Sequence, residues 1–436
     1  MNKKKSFTLF LIFFFSLIIR IFNARYKAFF YPDEGTYALE AIWLLEGEKA
    51  INKTWSYVEF NFNGRGAPFT SLKPLHNILT ALFFKIFGIS DLSAYLYVSF
   101  FGSLSVVLVY LIAKEYINKP MYPTIFMAFF GAHVYYSTTL LTEVVYIFFL
   151  LLSLYLYLKR FYYHLGIVLG LAFGIRYSGI VLLFIYLILI RNKNFVKVLL
   201  GFSLVLILYF YLYRLFNLDY LYFLIQRASF SPFIRKIFDI FGIEYSYLDV
   251  KMMNPFTVLL ALTVYSLMSY PIVYVLGLYK LKEFKDIEKF TLLYILLLFI
   301  VENDINRAFI LISPMLSILA FKNQKFSIAI LILSVLFSIP TLFFKQTCYK
   351  DVSEVLNTDS KIFSDNCNIL YFYTGSCYSF KYNKDLRGYL VLSDEIERLS
   401  NKKYNVDCQL LYKFKINTEP WKLHRTNKYL RVYLCK

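Results

Sequence analysis

The feature that most constrains this chain is a succession of apolar runs long enough to cross a lipid bilayer, parted by short basic stretches. A hydrocarbon core takes about 20 apolar residues per helix, within a range of roughly 17 to 25. The first run, Phe7 to Asn23, follows Lys3, Lys4 and Lys5. Later candidates are Leu92 to Ala113, Tyr122 to Ser137, Glu143 to Leu158, Phe195 to Phe216, Pro255 to Tyr279, Phe290 to Glu302, Ala308 to Phe321 and Phe326 to Phe344. Leu165 to Ile190 is interrupted at Arg176-Tyr177-Ser178-Gly179 and flanked by basic residues on both sides, which predicts a pair of short helices entering and leaving on one side. Counting Pro74 to Gly88 as an interfacial helix or a partial span, about ten to twelve spans are expected.

Composition agrees. Of 436 residues, 59% are hydrophobic and 21% aromatic, while charged residues are only 17%, below the roughly 25% of soluble domains. Division into several soluble domains is thereby excluded, as are disordered, collagen-like and disulfide-scaffold classes. The formal charge of +19 is scattered between apolar runs instead of gathered on one stripe, so no nucleic acid is expected as partner. Short loops rich in Lys and Arg face the cytoplasm. That rule places Lys114, Lys119, Lys159, Arg160, Arg191, Lys193, Lys280, Lys282, Lys322 and Lys325 inside, together with the amino end. A cleaved signal peptide is the alternative for the first run, but no small-x-small site follows it.

Two domains are expected. Residues 1–344 form the transmembrane part, with a first outer loop at 24–74, and 345–436 form a small extracytoplasmic soluble α/β domain. In the tail, Ile369 to Tyr373 and Tyr429 to Leu434 read as strands and Ser393 to Asn401 as a helix. All five cysteines (Cys348, Cys367, Cys377, Cys408 and Cys435) lie there, room for two disulfides and a spare thiol in an oxidising exterior. Their spacing matches no zinc pattern.

Charges at bilayer depth cost at least ~2.5 kcal/mol on insertion scales, so each needs a reason. Asp33-Glu34 follow Tyr31-Pro32 and precede a short amphipathic helix, Ala38 to Gly47. Asp33 reads either as an N-cap, with Glu34 favouring the helix dipole, or as a carboxylate acting as general base on a hydroxyl. Lys73 either snorkels to headgroups or neutralises a phosphate, and His76 is a packed histidine or a site group. Thr142-Glu143 either caps a helix or supplies a second acid that binds sugar hydroxyls or a cation. Arg176 and Arg307 are candidate ligands of an anion, with Glu302 and Asp304 crowding Arg307.

Arg20, the segment Asp33-Glu34-x-x-Tyr37, Lys73-Pro74-Leu75, Thr142-Glu143, the glycine-rich hairpin Gly166 to Gly179 and Asn306-Arg307 occur in an order that resembles the GT-C membrane glycosyltransferases. The likeness is to the branch of protein O-mannosyltransferases and the aminoarabinose transferase of lipid A, glycosyltransferase family 39 type. It covers roughly the first 340 residues. A single proline follows Lys73 where relatives often have two, Ala308 follows the late arginine where an aromatic is common, and the tail matches no known pattern. The resemblance implies an α-helical polytopic enzyme that takes sugar from a polyprenyl-phosphate donor to a protein, glycan or lipid acceptor hydroxyl, with inversion. It implies Asp33 as base beside Glu34, donor phosphate held by Lys73, Arg176 and Arg307, and substrate or a possible metal met by Glu143, Tyr37 and His76. No obligatory cofactor is expected, although Glu143 leaves room for a divalent cation. The alternative is a transporter or flippase of lipid-linked sugars, but no internal repeat is evident and the acids lie near span ends, not at the midplane.

Overall fold

A computed structural model describes residues 3–47, 73–190, 193–215, 263–283, 285–301, 305–322, 327–356, 360–364, 367–374, 377–379, 387–393, 408–416 and 428–435. Helices α1 (Lys3–Ala24), α2 (Pro32–Glu46), α3 (Pro74–Phe87) and α4 (Asp91–Tyr116) are followed by α5 (Met121–Phe129), α6 (Gly131–Ser137), α7 (Thr142–Leu158), α8 (Tyr162–Ile175), α9 (Ile180–Leu189) and α10 (Asn194–Leu215). Next come α11 (Pro271–Lys280), α12 (Asp286–Val301), α13 (Ile305–Ala320) and α14 (Ser327–Leu342), then α15 (Cys348–Ser353) and α16 (Cys367–Thr374) in the tail.

Helix α4 is central and packs against α1, α3, α5 and α7. It is capped by Ser90, whose side chain accepts the Ser93 N–H at 3.1 Å. By contrast, α1 leaves Phe7, Leu11, Phe14 and Ile18 exposed, and α10 leaves Leu200, Leu204, Ile207 and Tyr211 exposed, each at helical spacing. Apolar faces of this length without a protein partner belong against lipid. The protein is a multi-pass membrane protein. Among the described residues, Ser6–Ala24, Asp91–Tyr116 and Asn194–Leu215 are long and apolar enough to cross alone, and α6 and α7 form an apolar pair bent by 111°, a broken span or a re-entrant loop. Five further apolar helices are shorter.

The hairpin around Arg176 forms as expected, with a short 3-10 turn at Tyr177–Gly179 between α8 and α9. Gly166, Gly170 and Gly174 line one face of α8, and a Cβ at any of them would collide with Val198, Val205 or Tyr209 of α10. Small residues every fourth position let the two backbones approach.

Two expected spans are broken instead. Tyr122 to Ser137 divides at Phe130, and just past the break α14 runs so close that a Cβ on Gly131 would lie 2.8 Å from Thr341 Oγ1 and 3.1 Å from the Ser338 carbonyl. The run ending at Tyr279 restarts at Pro271, which cannot donate a helical hydrogen bond; the expected beginning of that run, residues 255–262, lies outside the described residues.

The tail carries a five-stranded sheet, β1 (Ile362–Ser364), β2 (Tyr378–Ser379), β3 (Gly388–Ser393), β4 (Cys408–Ile416) and β5 (Lys428–Cys435), in the order β2-β1-β3-β5-β4. The first three strands pair in parallel, and β5 runs antiparallel to both β3 and β4. Tyr429 to Leu434 is strand, as expected. Ile369 to Tyr373 is not: it lies within α16, where Ile369 and Leu370 are buried and Phe372 packs on Phe29. An apolar run of five residues fits either state, and its neighbours decided. Residues 394–401 of the expected helix lie outside the described residues. Cys408 and Cys435 are disulfide-bonded and Cys377 is in a disulfide as well, whereas Cys348 is free, buried and pushed up to about 12 by that burial.

Candidate active site

Helix α2 begins where Pro32 occupies its first turn, a position that needs no N–H. Asp33 is not the N-cap; Tyr31 is. The two acids then diverge completely. Asp33 keeps half its side chain exposed and accepts from Arg307 Nη2 at 3.4 Å. Glu34 is fully buried: Oε2 accepts the Phe30 and Tyr31 N–H groups, both at 2.8 Å, and Oε1 accepts that of Leu140 at 2.9 Å. Burial pushes Glu34 up to about 7, against those three donors and the charge of Lys27.

Because Glu34 grips Leu140, the start of α7 is fixed against the start of α2. Glu143, in the first turn of α7, is 1% exposed and takes Arg176 Nη1 at 2.7 Å and Arg307 Nε at 3.7 Å on the same oxygen. Its other oxygen has no hydrogen-bond partner among the described residues. Arg176 reaches this point because the α8–α9 turn ends the helix there in extended backbone, and it also donates to Thr142 Oγ1 at 3.2 Å. Arg307 comes from the first turn of α13, with its guanidinium 5.5 Å from the centre of the Tyr31 ring.

Lys73 sits at the N-cap of α3, buried, donating to the Tyr37 hydroxyl, with its ammonium 4.2 Å from that ring's centre. Its charge acts on Glu143 and on His76. His76 is fully buried, 3.0 Å from Tyr97 Oη through Nδ1 and edge-on to Tyr37. Asp33, Arg307, Glu143 and Arg176 thus form one chain of ion pairs, with Lys73, Tyr37 and His76 beside it. Among the described residues, two carboxylates of this cluster face three cations. The cluster can accept an anion while keeping a carboxylate open to solvent. Among the described residues, no group of three His, Cys, Asp or Glu is placed to hold a metal ion.

Glu302 and Asp304 lie outside the described residues. Arg20 stands apart from the cluster, buried with Ser16, Ser137 and His133. Sequence reasoning missed the ring of Tyr31 under Arg307, Asn77 donating to the buried Glu40, and Lys27 held 3.6 Å over the Tyr135 ring. Tyr31 was within reach, being two residues before Asp33; the partners of Lys27 are visible only in three dimensions.

The family model for dolichyl-phosphate-mannose-protein mannosyltransferase matches residues 68–213, which include Lys73, His76, Glu143 and Arg176. ArnT from Cupriavidus metallidurans in the apo state is similar over 99% of this chain and 98% of that one, with 11% identity and a TM-score of 0.56. The same ArnT bound to undecaprenyl phosphate covers the same shares at 12% identity and a TM-score of 0.44. No curated protein matches the sequence. The match to a mannosyltransferase family model over residues 68–213 thus lies inside a chain that has an ArnT-like fold along its whole length.

Proposed function

We propose that the protein transfers a sugar from a polyprenyl-phosphate donor to an acceptor hydroxyl at the extracytoplasmic face, with inversion and with Asp33 as general base. One observation carries the reading: of two adjacent acids, Glu34 is held by three backbone N–H groups, while Asp33 stays half exposed at the edge of a buried cluster that gathers Arg307, Arg176 and Lys73. The family description, dolichyl-phosphate-mannose-protein mannosyltransferase, supports the donor class.

In this reading the acceptor O–H gives its proton to Asp33 as its oxygen attacks the anomeric carbon. The bond from that carbon to the phosphate oxygen breaks, and polyprenyl phosphate leaves with the electron pair. A phosphate leaving group needs charge neutralisation more than a proton, and Arg307, Arg176 and Lys73 supply it. Arg307 now spans Asp33 and Glu143; an arriving phosphate competes for its guanidinium and frees Asp33 for the acceptor. Glu143, Tyr37 and His76 border the sugar, and Glu143 is where a divalent cation would enter if one is used. Glu34 fixes the loop. The acceptor is a protein, glycan or lipid hydroxyl. Residues 1–344 form the catalytic membrane domain and 345–436 the outer domain, with the amino end cytoplasmic.

The test is transfer from radiolabelled dolichyl-phosphate mannose and its undecaprenyl counterparts to hydroxyl acceptors by the purified chain. Asp33→Asn should lower transfer by about 10²–10⁴-fold and leave folding intact, since the side chain is half exposed. Full transfer by that variant would remove Asp33 from the chemistry. Movement of intact donor across vesicles without transfer would favour transport.

A further inference from the structure

Between α1 and α2 runs a short strap, residues 25–31, that delivers Asp33 to the site. Four successive backbone N–H groups in it are each donated at 2.8 Å: Ala28 to the Gln346 carbonyl, Phe29 to the Tyr373 hydroxyl, and Phe30 and Tyr31 to Glu34. Two of these four bonds end on the C-terminal segment. The contact is reciprocal, for Gln346 returns its own N–H to the Tyr26 carbonyl at 2.8 Å, a parallel bridge onto the strap.

Both tail residues are themselves held. Gln346 Oε1 accepts from the Tyr135 hydroxyl at 2.6 Å, and that hydroxyl lies 3.1 Å from Tyr31 Oη, whose ring faces Arg307. Tyr373 donates to Asp91 Oδ2 at 3.3 Å, where Lys350 also reaches at 3.3 Å. Phe29 is 1% exposed, with its ring 4.5 Å from that of Phe372. Continuous contacts therefore run from the tail to both members of the Asp33–Arg307 pair: through the strap backbone to Asp33, and through Tyr135 and Tyr31 to Arg307.

We propose that Tyr373 and Gln346 of the C-terminal segment are positioning residues for the transfer reaction, fixing the strap so that the Asp33 carboxylate and the Arg307 guanidinium stand in register. The assignment rests on Asp33 being the base. A base displaced by a fraction of an ångström loses rate without losing substrate, because the donor is bound by cations on other helices. After a turn at residues 25 and 26 the strap runs without helix to Tyr31, so its geometry depends on these external acceptors.

The experiment uses the full chain in lipid nanodiscs, with Tyr373→Phe, Gln346→Ala and, as control on the same helix, Tyr371→Phe, which makes no hydrogen bond to the strap among the described residues. Steady-state transfer from dolichyl-phosphate mannose is read as kcat and KM, alongside amide hydrogen exchange of residues 25–37. Tyr373→Phe should lower kcat about 10- to 100-fold at an unchanged donor KM. Exchange at residues 28–31 should accelerate at least about 10-fold while α4 stays protected, and the control should move neither. Unchanged kcat, or a loss carried by KM alone, overturns the proposal, as does unaltered strap exchange. Should the wild-type chain transfer no labelled sugar, the catalytic reading fails, and the exchange measurement still decides whether the tail holds the strap. If Gln346→Ala does not fold, Tyr373→Phe, which removes one oxygen, decides alone.

Discussion

Helix α13 carries a charged cluster at each end, and the two are unlike. Arg307 in its first turn and Lys322 just beyond its last residue are about 22 Å apart at 1.5 Å per residue. Around Lys322 the charges cancel: Lys322 meets Glu283 at 2.6 Å and Glu288 at 2.8 Å, and Lys280 meets Glu283 at 2.9 Å. Around Arg307, three cations share two carboxylates, and one of those, Asp33, is half exposed. Each cluster contains a buried glutamate with one oxygen that has no hydrogen-bond partner among the described residues, Glu143 at one end and Glu288 at the other. That feature therefore does not mark a site. What sets the Arg307 end apart among the described residues is an accessible carboxylate beside three cations, the arrangement on which the proposed function rests.

The comparison breaks most visibly at Arg307. Arg307→Gln should reduce kcat/KM for the prenyl-phosphate donor by about 10²–10³-fold, the usual loss when one preorganised donor to a developing charge is removed. Steady-state transfer with varied donor measures it, and a loss under tenfold would place the phosphate elsewhere. At the other end, Lys322→Met should leave transfer per folded molecule unchanged. It should nevertheless destabilise the protein by about 3–5 kcal/mol, because Glu288 is left buried without its cation. Thermal unfolding in detergent beside an activity titration separates the two outcomes.

How far the sequence foretold this arrangement depended on where each determinant lay. The apolar runs and the break at Arg176 were legible because bilayer length and local charge suffice to define them. The break at Phe130 was not, because the helix packed beside it, with Thr341 against Gly131, is about two hundred positions away in the chain. The cluster itself was legible as a set of misplaced charges. What could not be read was the contrast between Asp33 and Glu34, which depends on the N–H of Leu140 in the turn between α6 and α7. The clamp by Gln346 and Tyr373 left no trace either, since glutamine and tyrosine in a polar tail look like ordinary surface.

Acid should test the end around Lys322. Hydrogen bonds from Lys322 and then Lys280 hold the Glu283 carboxyl down at about 2, below its ordinary 4.5. A carboxyl depressed on folding stabilises in full above its unfolded value and loses that contribution as pH falls toward the folded one. The thermal midpoint should therefore drop between about pH 4.5 and 2, and Glu283→Gln should flatten this limb while lowering stability at pH 7. A limb of the same depth in the variant would assign the acid sensitivity to other carboxylates.

The smallest effect sharpens the argument about burial. Lys159 and Glu115 form a pair at 2.8 Å, the same separation as Lys322 and Glu288. The exposures differ: side chains 35% and 44% accessible in the first pair, 8% and 0% in the second. An exposed pair gains little Coulomb energy in water, is screened by salt and gives up side-chain freedom, so Lys159→Ala should cost under about 0.5 kcal/mol. Its thermal midpoint should be indistinguishable from wild type at 0.5 M salt, while that of Lys322→Met stays low. If both variants lost stability equally, contact distance instead of desolvation would govern ion pairs in this protein, and the contrast between the ends of α13 would lose its physical basis.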